Sequence, residues 1–166
     1  LAARPLFMYL AWQNPHMQPE VPAMYLNHAI GDCKRRTIEA MVHVLDEGIA
    51  NVTRALGAPR GGGAGAGAWN TTVFVFLSDN GGVTHLGKAG NNYPLRGGKI
   101  TNFEGGVRTA AFVAGGFVTR ALRASGGGGG GARAYSGLFS IADWYATLMS
   151  AAGAGDAADA AAVLAG

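Results

Sequence analysis

A chain of 166 residues, about half of them apolar, is long enough for one domain with its own core. Thirteen basic against ten acidic residues leave a formal charge of +3, and apart from Lys34-Arg35-Arg36 the basic side chains are scattered, which excludes the charged stripe of a nucleic-acid surface. A single cysteine, Cys33, excludes an internal disulfide and a cysteine-based metal site, and no apolar run has the length of a membrane span.

Half of the 28 glycines gather, beside alanines, in residues 60–68, 126–132 and the tail 153–166. Such stretches carry little side-chain surface to offset the entropy of ordering them. One folded region, 1–152, is therefore expected, with two Gly/Ala-rich insertions and a low-complexity tail. The N-terminus has neither an initiator Met nor a signal-peptide pattern, so the chain is expected to begin in mid-protein. Two sequons, Asn51-Val52-Thr53 and Asn70-Thr71-Thr72, are compatible with a secretory route.

In chain order, residues 5–12 (Pro-Leu-Phe-Met-Tyr-Leu-Ala-Trp) form a continuous apolar run that predicts a buried strand. The next ten residues hold three prolines, which forbid a helix and set an extended loop at that strand's exit. His16 lies in this loop. From residue 32 to residue 57 the period becomes helical, with Ile38, Met41, Val42, Leu45, Ile49, Val52 and Leu56 on one face and Gly57 and Pro59 as the stop. His43 and Asp46 fall on this helix at boundary or surface positions.

Residues 71–77 are apolar on both parities, which suits a strand covered on both faces in an α/β sheet. The run ends on Ser78-Asp79-Asn80-Gly81-Gly82, and ligands gather outside the carboxyl ends of such strands. Together with the first strand and the helix it predicts a parallel β-α-β unit with a right-handed crossover. The loop from residue 82 to 108 is too long for a plain connection, and its mix of aromatic, charged and turn residues points to function. A third strand over 109–114 and a helix over 137–152 complete the organised chain.

Three nucleotide-binding or hydrolase patterns fail on their mechanics. Gly82 to Lys88 has P-loop spacing, but Ala89 replaces the magnesium-binding hydroxyl, and Gly90, Asn91, Asn92 and Pro94 cannot continue into the phosphate-receiving helix. The Gly/Ala alternation of residues 63–68 precedes a strand instead of following one. Ser78 lacks the flanking glycines of a nucleophile elbow. What remains is oxygen chemistry. Asp79 and Asn80 offer a carboxylate and an amide oxygen suited to a hard divalent cation, or simply form an Asp/Asn/Gly turn. Lys99 and His16, both on loops at strand ends, are the donors a tetrahedral oxyanion needs.

Taken together, Ser78-Asp79-Asn80-Gly81-Gly82, the stretch Gly90-Asn91-Asn92-Tyr93-Pro94-Leu95-Arg96-Gly97-Gly98-Lys99 and Glu104-Gly105-Gly106-Val107-Arg108 resemble the sulfatase family, most nearly its arylsulfatase B (N-acetylgalactosamine-4-sulfatase) type. Leu10 to His16 is similar to the family's strand and histidine loop, and Asp143-Trp144 to its Asp-Trp helix start. The resemblance implies an alkaline-phosphatase-like α/β fold, a mixed sheet flanked by helices, here incomplete. It implies that Asp79 and Asn80 are calcium ligands, and that Lys99 and His16 bind the sulfate oxygens and assist catalysis. It also implies a sulfuric ester hydrolase acting on a sulfated small molecule or glycan, in a lysosomal or extracellular setting. Family members attack sulfur with a formylglycine made from a Cys-x-Pro-Ser-Arg motif, whereas Cys33 is followed by Lys34-Arg35-Arg36, and the family's paired N-terminal aspartates are missing. The chain alone is therefore expected to be inactive and to bind calcium weakly. Two alternatives stand beside this reading: a phosphatase or phosphodiesterase of the same superfamily, and a non-catalytic sulfated-glycan-binding chain.

Overall fold

The computed structural model describes residues 5–16, 20–27, 32–58, 67–84, 89–124 and 132–153. They belong to two compact units, Leu1–Gly130 and Gly131–Gly166. The first holds α1 (Ala23–Leu26), α2 (Cys33–Gly57), β1 (Phe74–Leu77), α3 (Glu104–Val107), β2 (Ala111–Ala114) and α4 (Gly116–Ala124), and the second holds α5 (Asp143–Ala151).

Asp32 starts α2 by accepting the Arg35 N–H at 2.9 Å, a bond that removes one of the helix's unpaired donors. The helix ends as the sequence predicts, with Ala58 N–H still bonded to the Arg54 carbonyl and a proline next in the chain. Its expected apolar face turns inward: Met41 and Leu45 are buried with Ala40, while Val42 stays exposed. Two further pieces lie on this helix. Tyr25 of α1 donates its hydroxyl to Glu47 and sets its ring 5.7 Å from that of His43. Trp12 lies over Gly48, where a Cβ would stand 2.5 Å from the indole, so a larger residue there would push the indole aside.

The sheet departs from expectation. β1 pairs with β2 alone among the described residues, and the pair is antiparallel, with Phe74 opposite Ala114, Val75 opposite Val113, Phe76 opposite Phe112 and Leu77 opposite Ala111. The parallel β-α-β unit is thus corrected to an antiparallel ladder. Residues 5–12 are not a strand: Phe7 and Tyr9 are 78% and 83% exposed, and no described strand offers them a ladder partner. An apolar run without such a partner leaves its backbone groups unpaired in any sheet, so it lies as irregular chain pinned by Trp12.

β1 is also shorter than the predicted 71–77, because Ala68–Thr71 winds into a 3-10 turn in which Thr72 Oγ1 donates to the Ala68 carbonyl. The strand is half-buried on average instead of covered on both faces. Phe76 and Phe112, directly opposite, stack with centroids 5.0 Å apart, and Phe74 joins them at 6.1 Å from Phe112. Each such pair contributes about 0.5 to 1.5 kcal/mol beyond its buried area. α4 follows β2 directly and packs against both β2 and the 3-10 turn, where Arg120 donates to the Asn70 carbonyl.

In the second unit the predicted helix 137–152 is shorter, starting at Asp143. Asp143 accepts the Ser140 N–H at 2.6 Å, and Trp144 packs its ring 4.7 Å from Phe139. Helices with a small two-strand sheet make the fold mixed α/β. Among the described residues no helix is long and apolar enough to cross a membrane.

Candidate functional site

The chain leaves β1 with one more ladder bond, Ser78 N–H to the Ala110 carbonyl, and then turns on its own side chains. Ser78 Oγ donates to the Asn80 carbonyl at 3.0 Å, and Asp79 Oδ1 accepts the Asn80 N–H at 2.9 Å. Asn80 Nδ2 is taken up by the Gly81 carbonyl at 2.9 Å, so its Oδ1 stays outside that bond. Asp79 is exposed and Asn80 half-buried. Two adjacent oxygen donors of this kind fit a hard cation in type. In number they are an incomplete set: among the described residues no group of three or more His, Cys, Asp or Glu could hold a metal ion.

Beyond Asn80 the loops are joined backbone to backbone. Gly81 N–H reaches the Gly106 carbonyl at 2.9 Å, Gly105 N–H the Arg96 carbonyl at 2.7 Å, and Lys99 N–H the Gly82 carbonyl at 3.1 Å. A Cβ on Gly81 would stand 1.7 Å from the Gly105 carbonyl oxygen, so the strand exit and α3 approach at a distance that excludes any side chain. That approach explains why Glu-Gly-Gly-Val forms a helical turn despite two glycines: Gly105 and Gly106 are buried against neighbouring backbone. The guanidinium of Arg96 covers the Phe103 ring at 4.0 Å. Arg35 of α2 pairs with Glu39 at 3.0 Å and donates to the Ala89 carbonyl at 3.2 Å, tying this loop to the helix.

Out of this framework comes Lys99. Its Nζ lies 3.5 Å from His16 Nε2, although 83 residues separate the two in sequence. Lys99 is half-buried and His16 exposed. An ammonium can only donate, so in this contact His16 Nε2 accepts, and the remaining Lys99 N–H groups are the donors open to an anion. The structure thus brings together Lys99 and His16, the two residues expected from sequence at an oxyanion. Asp79 and Asn80 are linked to them through Gly82, which lies two residues past Asn80 and accepts from Lys99 N–H.

Sequence reasoning passed over Asn92 except as a letter in a motif. Its Oδ1 accepts Gly82 N–H at 2.8 Å, and its Nδ2 donates to the Gly82 and Gly97 carbonyls at 2.9 and 3.1 Å. The only available signal was an amide within a glycine-rich loop, where backbone groups outnumber the side chains able to bond them. Cys33, exposed, is the first residue of α2. His85 and Lys88, which the sequence gives no role beyond the loop itself, lie outside the described residues, as do most of the insertions at 60–68 and 126–132 and the tail after residue 153.

The sulfatase family model matches residues 1–154. The chain belongs to the sulfatase family. It is similar to Arylsulfatase J of Mus musculus, 39% identical over 151 residues that make up 90% of this chain and 22% of that protein. A protein named Sulfatase from Formosa agariphila is 35% identical over 114 residues, 64% of this chain and 20% of that protein. The chain therefore spans about a fifth of the length of the curated relatives it matches. What the comparisons share with the arylsulfatase B expectation is the arylsulfatase class.

Proposed function

We propose that this chain supplies part of the anion-binding and metal-binding site of a calcium-assisted sulfuric ester hydrolase of the arylsulfatase B type, acting on a sulfated small molecule or glycan in the secretory or lysosomal route. The observation that carries the reading is the 3.5 Å approach of Lys99 Nζ to His16 Nε2. Two such groups offset charge on sulfate oxygens as it shifts during S–O cleavage, and they hold the ester in one orientation. Asp79 and Asn80 would give two of the oxygen ligands to calcium, which when bound supplies further positive charge at the same anion. The two strands would then belong to a larger alkaline-phosphatase-like sheet.

Inorganic sulfate, titrated against the 166-residue chain and followed by amide and imidazole chemical shifts, tests the site. Binding should weaken by on the order of tenfold in Lys99→Ala and in His16→Ala, each of which removes one charge-assisted hydrogen bond. Unchanged affinity in both variants would defeat the proposal. No Cys-x-Pro-Ser-Arg motif occurs in the chain, so no single-turnover hydrolysis of an aryl sulfate is expected from it alone. Measurable turnover would overturn that part.

A further inference from the structure

Lys99 stands in a turn that the backbone does not favour. Gly97 has φ of 80° and Ile100 has φ of 71°, and a β-branched residue in the left-handed region carries a strain that its surroundings must hold in place. Ile100 itself is 82% exposed, so no packing of its own side chain does this. The restraint comes from the start of the turn. Thr101 Oγ1 donates to the Gly98 carbonyl at 2.7 Å and accepts Gly98 N–H at 3.1 Å, which closes the turn on itself. Among the described residues, two sets of bonds tie the closed turn to the strand exit that carries Asp79 and Asn80: Lys99 N–H to the Gly82 carbonyl, and the three bonds of the Asn92 amide to Gly82 and Gly97.

We infer that Asn92 is a positioning residue, whose side-chain amide fastens the Lys99 turn to the exit of β1 and so sets where the Lys99 ammonium stands relative to His16 and to the Asp79-Asn80 pair. The chemistry requires an amide. One oxygen must accept Gly82 N–H while one NH2 group serves two carbonyls, and among small side chains only the Asn amide offers both an acceptor and two donors at that reach. This assignment of the bonds also decides the amide's orientation, since the reverse would set oxygen against two carbonyl oxygens. The change Asn92→Asp would keep the acceptor and place a carboxylate oxygen against the Gly82 and Gly97 carbonyls, where repulsion replaces two bonds. Where Asn92 acts on sulfate, it does so only through Lys99, and this much rests on the function proposed above.

Two measurements on the 166-residue chain test the inference. The first needs no ligand. In Asn92→Asp, amide hydrogen exchange at Lys99 should quicken by on the order of ten- to a hundredfold, the loss of one to two hydrogen bonds, while Phe76 and Phe112, a hydrogen-bonded pair of the β ladder, exchange at their usual rate. Unchanged exchange at Lys99 overturns the inference. If Asn92→Asp does not fold, as judged by lost protection at Phe76, Asn92→Gln replaces it; there the amide is kept and displaced by one methylene, and the same quickening at Lys99 is expected. The second is a double-mutant cycle with inorganic sulfate. Affinity should fall severalfold in Asn92→Asp, and the fall should vanish when Lys99→Ala is already present. A fall that persists in the Lys99→Ala background overturns positioning through Lys99. If the parent chain binds no sulfate, the proposed function fails, and the exchange measurement alone decides the role of Asn92.

Discussion

In α2, twenty-five residues are organised by side chains: Ala40, Met41 and Leu45 turn inward, Asp32 caps the start, and Trp12 and Tyr25 lie against the outside. In residues 78–84 and 89–106, backbone packs on backbone, with glycines at the contacts and one amide, Asn92, at the junction. The helix is stabilised by burying apolar surface, which tolerates exchange among residues of similar size. The loops hold their shape through hydrogen bonds at fixed distances, which tolerate almost no added atom. A site that must orient two donors to within fractions of an ångström gains from the second kind of order.

The largest effect should come from breaking the loops. Gly81→Ala puts a methyl group 1.7 Å from the Gly105 carbonyl oxygen and should cost about 3 kcal/mol in urea unfolding, far above the near-neutral effect of the same exchange at an open glycine. A cost near zero would show that the two backbones separate freely. Next comes the helix: Met41→Ala, in the small buried cluster, should cost about 2 kcal/mol, at the low end because so few buried neighbours surround it. A smaller effect, of opposite sign, is expected at Ile100→Asn, since Asn tolerates the left-handed region; a gain of about 1 kcal/mol would confirm that the Lys99 turn stores strain.

The smallest effect is a pH dependence on the helix side. Tyr25 donates to Glu47, and this bond, then desolvation and the carboxylate's charge, hold its hydroxyl above the usual tyrosine value of 10.0. The folded state therefore keeps the proton more tightly than the unfolded one. The contribution is complete below pH 10.0 and is lost as pH rises through the higher folded value. The melting temperature of the parent chain should exceed that of Tyr25→Phe at about pH 8, and the gap should narrow on the alkaline side. A gap that widens with pH would contradict the bond to Glu47.

The same contrast explains how much was legible in the sequence. α2 was readable from its period and from Asp32, Gly57 and Pro59 because side chains create it. α5 was readable for the same reason, though its start at Asp143 depends on a bond to Ser140 that no periodicity reports. α4 was missed, since Gly115 and Gly116 at its start read as loop, and α3 was missed because its glycines owe their helical turn to distant backbone. Residues 5–12 were over-read as a strand because an apolar run states a preference for burial without naming a partner. Lys99 and His16 were paired from their residue types and their places on loops at strand ends, and the structure sets them 3.5 Å apart.

That contact has a kinetic side. It closes a chain segment of 83 residues, and a long loop must lose its freedom before the contact returns anything. His16 reaches Lys99 from a stretch held by Trp12 on Gly48, in the middle of a helix that can form from local contacts alone. The site should therefore be the last part of the first unit to assemble during folding. In a stopped-flow experiment, helical signal should appear before sulfate-binding competence, and the lag should lengthen when Trp12 is replaced by alanine.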